Sequence, residues 1–315
     1  MRILFWGTPD FSVPSLRALL GEGHEVVGVV TQPDRPAGRG QELRHSHVKQ
    51  IAIEEMIPVL QPERAHGDEF MAQLRALEPE ISVVIAYGQI LRKEVLELPA
   101  YGSINAHASL LPELRGAAPI NWAIIRGHAE TGVTIIRMTE KMDAGPMLFQ
   151  ISEPIGPEET ASDLWTRLSE ISAQALVETL ALIENGIVEE RPQDESRVTF
   201  APRIERADAR IDWSGDATSI GDLMRGMDAI PGAWTTHRGA ELKVFRPRVF
   251  ADQQTSAPPG TIIDVRETDP AMGLTIACGR GALAVREVQP PGKRRMLTTE
   301  WLRGRAAQPG DRFGA

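Results

Sequence analysis

The chain has 315 residues, a formal net charge of -9 and a hydrophobic fraction of 42%, the balance of a soluble globular protein with room for two domains. Its one cysteine, Cys278, excludes an intrachain disulfide and a multi-cysteine zinc site. The acidic balance excludes indiscriminate coating of nucleic acid while leaving local basic islands open. The opening residues carry too short an apolar run for a signal peptide, and no segment reaches the roughly 18 apolar residues of a membrane span, so a cytoplasmic location is expected.

Arg2 to Trp6 is a short apolar run ending at Gly7, and Ser12 to Leu20 has helical apolar spacing, so the chain opens as strand, turn and helix. Val26 to Thr31 reads as a second strand. The first turn, Gly7-Thr-Pro-Asp-Phe11, has one glycine followed by proline and an aromatic residue. A dinucleotide pyrophosphate could not approach that backbone closely, so no NAD or flavin dinucleotide is expected.

The stretch Gln32 to Lys49 is too rich in Pro, Gly and charge for helix or strand and reads as a long loop. Loops of that length in α/β domains are commonly functional, although a solvated connection is the plainer reading. Arg35, Arg39, Arg44 and Lys49 face only Asp34 and Glu42 there, and Arg39 lies between glycines. A helix from about Gly67 to Leu77 precedes the strand Ile81 to Ala86. Strands alternating with helices imply a mostly parallel sheet covered on both faces, a Rossmann-like architecture.

Ser103 to His107 reads as a further strand, whose period of two puts Asn105 and His107 on one face. The Asn105 amide can donate to an oxygen that gains negative charge, and His107 can donate a hydrogen bond or move a proton near neutral pH. A solvent-capped strand terminus is the plainer alternative. After another strand, Gly132 to Thr139, Asp143 sits in a tight turn, where its carboxylate can hold the imidazole in one tautomer or serve as ordinary turn chemistry.

Glu159 to Asn185 keeps helical spacing and ends at Asn185-Gly186. Residues 189–208, charged and interrupted by Pro192 and Pro202, read as a linker between domains 1–188 and 209–315. Beyond it come a helix, Ile220 to Met227, and five short strands separated by Gly and Pro: Ala233–His237, Glu241–Phe250, Gly260–Val265, Leu274–Cys278 and Ala282–Val288. That pattern suggests a small OB-like β-barrel. From Gln289 onward Lys293, Arg294, Arg295, Arg303, Arg305 and Arg312 outnumber Glu300 and Asp311, a second basic island.

The string Ser103-Ile-Asn-Ala-His107 with Leu110-Leu-Pro-Glu-Leu-Arg-Gly-Ala-Ala-Pro119 resembles the catalytic core of folate-dependent formyltransferases, and the resemblance covers essentially the whole chain. Gly7-Thr-Pro, Ala209-Arg-Ile-Asp-Trp-Ser214, Pro231-Gly-Ala-Trp234 and Pro291-Gly-Lys293 also match the family's recurring strings. The resemblance implies transfer of a formyl group from 10-formyltetrahydrofolate to the α-amino group of initiator methionyl-tRNA, without metal, by a monomer. It implies catalytic roles for Asn105, His107 and Asp143, and a folate cleft at Ala86, Tyr87, Gly88 and at Ser109, Leu110, Leu111, Pro112. Contacts to tRNA are expected from Arg35, Arg39, Arg44, Lys49, Lys293, Arg294 and Arg295. His45 and His47 stand where the family's loop commonly has prolines. An amino-sugar formyltransferase, a non-catalytic tRNA-binding protein and a dehydrogenase are the competing readings. The loop around Arg39 and the basic tail oppose the first, the intact trio opposes the second, and Gly7-Thr-Pro opposes the third.

Overall fold

The first strand, β1 (Arg2–Gly7), carries apolar side chains on both faces and buries all of Ile3 to Gly7, which is the signature of a strand inside a covered parallel sheet. In the computed structural model, which describes residues 1–37, 42–304 and 306–314, it is followed by α1 (Val13–Gly21), β2 (Glu25–Val30), β3 (Arg35–Ala37), β4 (Glu42–Arg44), α2 (His47–Glu54) and β5 (Val59–Leu60). Next come α3 (Asp68–Ala76), β6 (Ile81–Ile85), α4 (Lys93–Leu96), β7 (Ser103–His107), α5 (Pro119–Ile125), β8 (Glu130–Arg137), β9 (Met147–Pro154) and α6 (Ala161–Glu184).

The large sheet has seven strands in the order β5-β2-β1-β6-β7-β8-β9. From β5 to β7 all pairings are parallel, and β8 runs antiparallel to β7. The chain winds outward from β1 through β2 to β5, then returns to the other side of β1 with β6 and β7. The carboxyl ends of β1 and β6 therefore form a topological switch point, the place where open α/β sheets bind ligands. Beneath it Trp6 is fully buried, with Tyr87 and Phe70 edge-on to its ring at 5.2 and 6.1 Å and its Nε1–H donating to Ser82 Oγ at 3.2 Å. The indole polar atom is thus satisfied without interrupting the apolar layer.

After two short helical turns at Glu195–Arg197 and Ala207–Ala209 the chain continues as α7 (Ala217–Gly226), β10 (Trp234–His237), β11 (Ala240–Phe250), β12 (Ile262–Val265), β13 (Leu274–Ala277), β14 (Ala282–Gln289), β15 (Met296–Leu297) and α8 (Thr298–Leu302). These strands make a curled, wholly antiparallel OB-like sheet in the order β10-β11-β14-β13-β12, with β15 paired to β14. Its core contains Trp213, Met224, Val244, Ile276, Leu283, Val285 and Phe313. Trp213 Nε1–H is satisfied by Thr235 Oγ1 at 2.9 Å.

The chain divides into two compact units. One comprises Met1–Gly116, Thr131–Glu153 and Trp165–Ala201; the other comprises Ala117–Glu130, Pro154–Leu164 and Pro202–Ala315. The second unit is therefore assembled from three segments, where contiguous domains were expected. The reason is local: α5 packs on α7, with Asn121 Nδ2 donating to Gly226 O at 2.7 Å, and Gly226 leaves no room for a Cβ against Ile125.

Several elements differ from the sequence reading. The stretch Gln32 to Lys49 is not wholly loop: β3 and β4 pair as a short antiparallel ladder, and α2 begins at His47. Ser46 supplies the reason for that start, because its side chain caps the Lys49 N–H at 3.2 Å. α5 was not foreseen. The antiparallel sheet has six strands where five were expected, the extra one being the two-residue β15. No helix among the described residues is long and apolar enough to cross a membrane.

Candidate active site

β7 lies between β6 and β8, with Asn105 opposite Val84 and Ile136, and His107 opposite Thr134. Ile104 and Ala106 are buried. Asn105 is half-buried, and among the described residues its side-chain amide has no hydrogen-bond partner. A polar side chain held on a rigid strand without an internal partner is available to a ligand.

His107 is buried, and its Nε2 lies 2.9 Å from Leu114 O. A carbonyl only accepts, so Nε2 carries a proton and donates it. In the neutral ring the lone pair is then on Nδ1, which faces Asp143 Oδ2 at 3.7 Å. Asp143 adopts φ +51 in the β8–β9 turn and accepts from Gly116 N–H through Oδ2 at 2.9 Å. The left-handed backbone turns its carboxylate toward the end of β7. Gly145 allows that turn to close, since a Cβ there would stand 1.8 Å from Arg137 O.

Residues 1–180 match the Formyl transferase family model and residues 203–306 match Formyl transferase, C-terminal domain. The chain belongs to the formyl transferase family. It is 48% identical to the methionyl-tRNA formyltransferase of Methylococcus capsulatus, covering 100% of both chains. It is 46% identical to that of Symbiobacterium thermophilum, covering 99% of this chain and 95% of the relative. Among solved structures, the N-formyltransferase of Helicobacter canadensis in complex with folinic acid and dTDP-3-aminofucose matches with a TM-score of 0.67 at 17% identity, over 92% of this chain and 99% of that one. At that identity the likeness concerns the fold alone.

The formyl transferase residues expected at the folate lie in two groups. Ala86 and Gly88, at the carboxyl end of β6, are exposed and have φ +49 and +89. Between them Tyr87 is buried, its hydroxyl lacks a partner among the described residues, and burial pushes its pKa up to about 12. Tyr87 therefore presents its backbone rather than its phenol: Tyr87 O accepts from Gln32 Nε2 at 3.1 Å. Ser109 to Pro112 leaves β7. Ser109 Oγ donates to Glu113 O at 2.7 Å, Leu111 and Pro112 are buried, and Leu110 is half-buried.

Two residues that the sequence did not single out hold this second group. Thr134 Oγ1 donates to Ser109 O at 2.7 Å and accepts from Leu111 N–H at 3.1 Å. Gln150 Nε2 donates to Thr134 Oγ1 at 2.8 Å and Leu111 O at 3.1 Å. Neither has a sequence signal, because Thr in a strand and a half-buried Gln are unremarkable alone.

The residues expected at tRNA separate by environment. Arg35, Lys293 and Arg294 are exposed, with Arg294 Nη2 3.8 Å from Glu300. Arg39 and the side chain of Arg44 lie outside what the structure describes. Lys49 and Arg295 are paired with carboxylates of this chain. Lys49 Nζ is 2.5 Å from Asp34 Oδ2 and 2.6 Å from Gln61 Oε1, and hydrogen bonding to that ammonium is the leading cause that lowers the Asp34 pKa. Arg295 forks onto Asp228 at 2.6 and 3.0 Å, also bonds Glu287, and covers the Phe245 ring with its guanidinium carbon 4.0 Å from the centroid. Both cations are engaged inside the fold, and separating them from their carboxylates to meet phosphate would forfeit those pairs.

Proposed function

We infer that the chain transfers the formyl group of 10-formyltetrahydrofolate to the α-amino group of initiator methionyl-tRNA, with Asn105, His107 and Asp143 as its catalytic residues. The observation that carries the catalytic assignment is the half-buried Asn105 amide, unpartnered among the described residues, two residues from a histidine whose Nδ1 faces a carboxylate at 3.7 Å. The identity of the acceptor rests on full-length likeness to proteins named for that reaction.

In this reading the amine nitrogen bonds to the formyl carbon as the carbonyl pair moves onto oxygen. The Asn105 N–H donates to that developing oxyanion, a stabilisation larger in the transition state than in the ground state. His107 Nδ1 takes the proton that the amine gives up, while Nε2 stays on Leu114 O and keeps the ring oriented. Asp143, itself fixed by Gly116 N–H, balances the imidazolium charge. Collapse of the tetrahedral carbon breaks its bond to folate N10, which receives the proton, so no net proton is consumed.

The exposed backbone at Ala86 and Gly88 and the half-buried Leu110 border the folate, consistent with the switch point between β1 and β6. Residues 1–188 carry this chemistry. Residues 209–315 contribute tRNA contacts through Lys293 and Arg294, and Arg35, Arg39 and Arg44 contribute theirs from the β3–β4 segment. The test is transfer of radiolabelled formyl from 10-formyltetrahydrofolate to charged initiator tRNA, elongator methionyl-tRNA and a nucleotide amino sugar. Strong preference for the first supports the reading. Equal transfer to the amino sugar would replace it with the competing acceptor class.

A further inference from the structure

Asp143 is held by more than its own turn. Gln193 Nε2 donates to Asp143 O at 2.7 Å and Gly145 O at 2.8 Å, so one amide clamps the carbonyls on either side of Ala144. The other end of the same amide is fixed as firmly. Gln193 Oε1 accepts from Arg115 Nε at 3.0 Å and Nη2 at 2.8 Å, and Arg115, itself buried, extends its fork to Glu195 at 2.9 Å. The chain delivers Gln193 to this place through a two-way backbone bridge: Met147 N–H donates to Arg191 O at 2.8 Å and Arg191 N–H to Met147 O at 2.9 Å. Arg115 is the neighbour of Gly116, whose N–H binds the Asp143 carboxylate. The carboxylate and its backbone are therefore pinned from two adjoining residues, Gly116 directly and Arg115 through the Gln193 side chain.

A residue in the left-handed region carries a local conformational cost, and such a conformation persists when surrounding bonds determine it. Without the Gln193 clamp the turn retains Gly116 N–H as its carboxylate partner, but the carbonyl groups of Asp143 and Gly145 lose the donor that sets their direction. A displacement of about 1 Å in a reacting geometry is enough to lower a rate on the order of 100-fold.

We propose that Gln193 is a positioning residue for catalysis, acting through Asp143, and that Arg115 orients its amide. This rests on the assignment of Asp143 to the catalytic trio. Gln193→Glu is the informative change, since a carboxylate keeps the two bonds from Arg115 while replacing the donated pair by lone pairs facing two carbonyls. It lowers kcat about tenfold or more, leaves KM for folate and for tRNA within about twofold, and leaves the unfolding midpoint close to that of the parent. Gln193→Ala lowers kcat as well.

The experiment is a double-mutant cycle of Gln193→Glu with Asp143→Ala, read in kcat and KM on full-length protein, with unfolding midpoints for every variant. The proposal predicts that Gln193→Glu has no further effect once Asp143 is alanine. An unchanged kcat for Gln193→Glu beside a low kcat for Asp143→Ala would overturn this proposal and leave the catalytic reading intact. Full additivity of the two changes, or a fall confined to KM, would also overturn it. A normal kcat for Asp143→Ala would overturn the catalytic reading and this proposal together. A loss of activity in Gln193→Glu that follows a lowered unfolding midpoint would reassign Gln193 to stability.

Discussion

Replacing Arg295 by alanine separates a structural cation from one that binds tRNA. Its guanidinium forks onto Asp228, whose side chain is 3% exposed against 27% for the arginine. Burial alone works to lower the Arg295 pKa, yet hydrogen bonds to Asp228 and Glu287 outweigh it and raise the value. The guanidinium is thus held chiefly by its two carboxylate partners. Removing one member of a buried pair leaves the other charge uncompensated, at a cost of roughly 3–5 kcal/mol. Arg246 Nε remains 3.9 Å from Asp228 Oδ2 and supplies partial compensation, so Arg295→Ala should cost about 3 kcal/mol, the lower end of that range. Urea unfolding with matched slopes is the assay, paired with tRNA affinity at fixed salt. The double change Arg295→Met with Asp228→Asn keeps hydrophobic cover on Phe245, removes both charges, and should recover most of the stability. A destabilisation below about 1 kcal/mol together with weakened tRNA binding would return Arg295 to the nucleic-acid surface and refute this reasoning.

Three further outcomes follow from the same environments. Changing Lys293 and Arg294 together to alanine should weaken tRNA binding and reduce the slope of log affinity against log salt by about one for each phosphate that they neutralise; an unchanged slope would remove both from the interface. Cys278 is buried, and burial, with the Asp216 charge adding to it, pushes its thiol up to about 12; thiol reagents at pH 8 should therefore label it only as fast as the protein opens, whereas immediate labelling in the native protein would contradict this. The Lys49 ammonium holds Asp34 below its ordinary value. Its stabilising contribution should be full above the unfolded pKa of about 3.9 and lost as pH falls through the lower folded value, so Asp34→Asn should flatten the acid limb of the stability profile, and an unaltered limb would count against the pair.

The strands were legible because alternation and continuous apolar runs are local properties: Ile81 to Ile85 and Ser103 to His107 announce themselves within a few residues. The same holds for the separation of Asn105 from Ile104 across the β7 faces. α2 was hidden within a charged stretch, since its start depends on one Ser46 capping bond, and α5 is a seven-residue helix whose partner, α7, lies far along the chain. The supports of the site were hidden for a stronger reason. Gln193 meets Asp143 across 50 residues and Arg115 across 78, so no window of sequence contains both ends. The carboxylate partners of Lys49 and Arg295 were not legible, because a cation paired with a carboxylate and one free for phosphate are the same letter in a basic island.

We propose that the Asn105 amide stabilises the anionic oxygen of formyl transfer. The most direct test of this claim is the single-turnover rate of Asn105→Ala with saturating 10-formyltetrahydrofolate and charged initiator tRNA, measured beside the unfolding midpoint. Because the amide has no protein partner among the described residues, the midpoint should change little. The transfer step should slow by about 100- to 1,000-fold, the reduction of roughly 2.7–4 kcal/mol in stabilisation that accompanies removal of one oxyanion donor. A near-normal single-turnover rate in the folded variant would contradict the account.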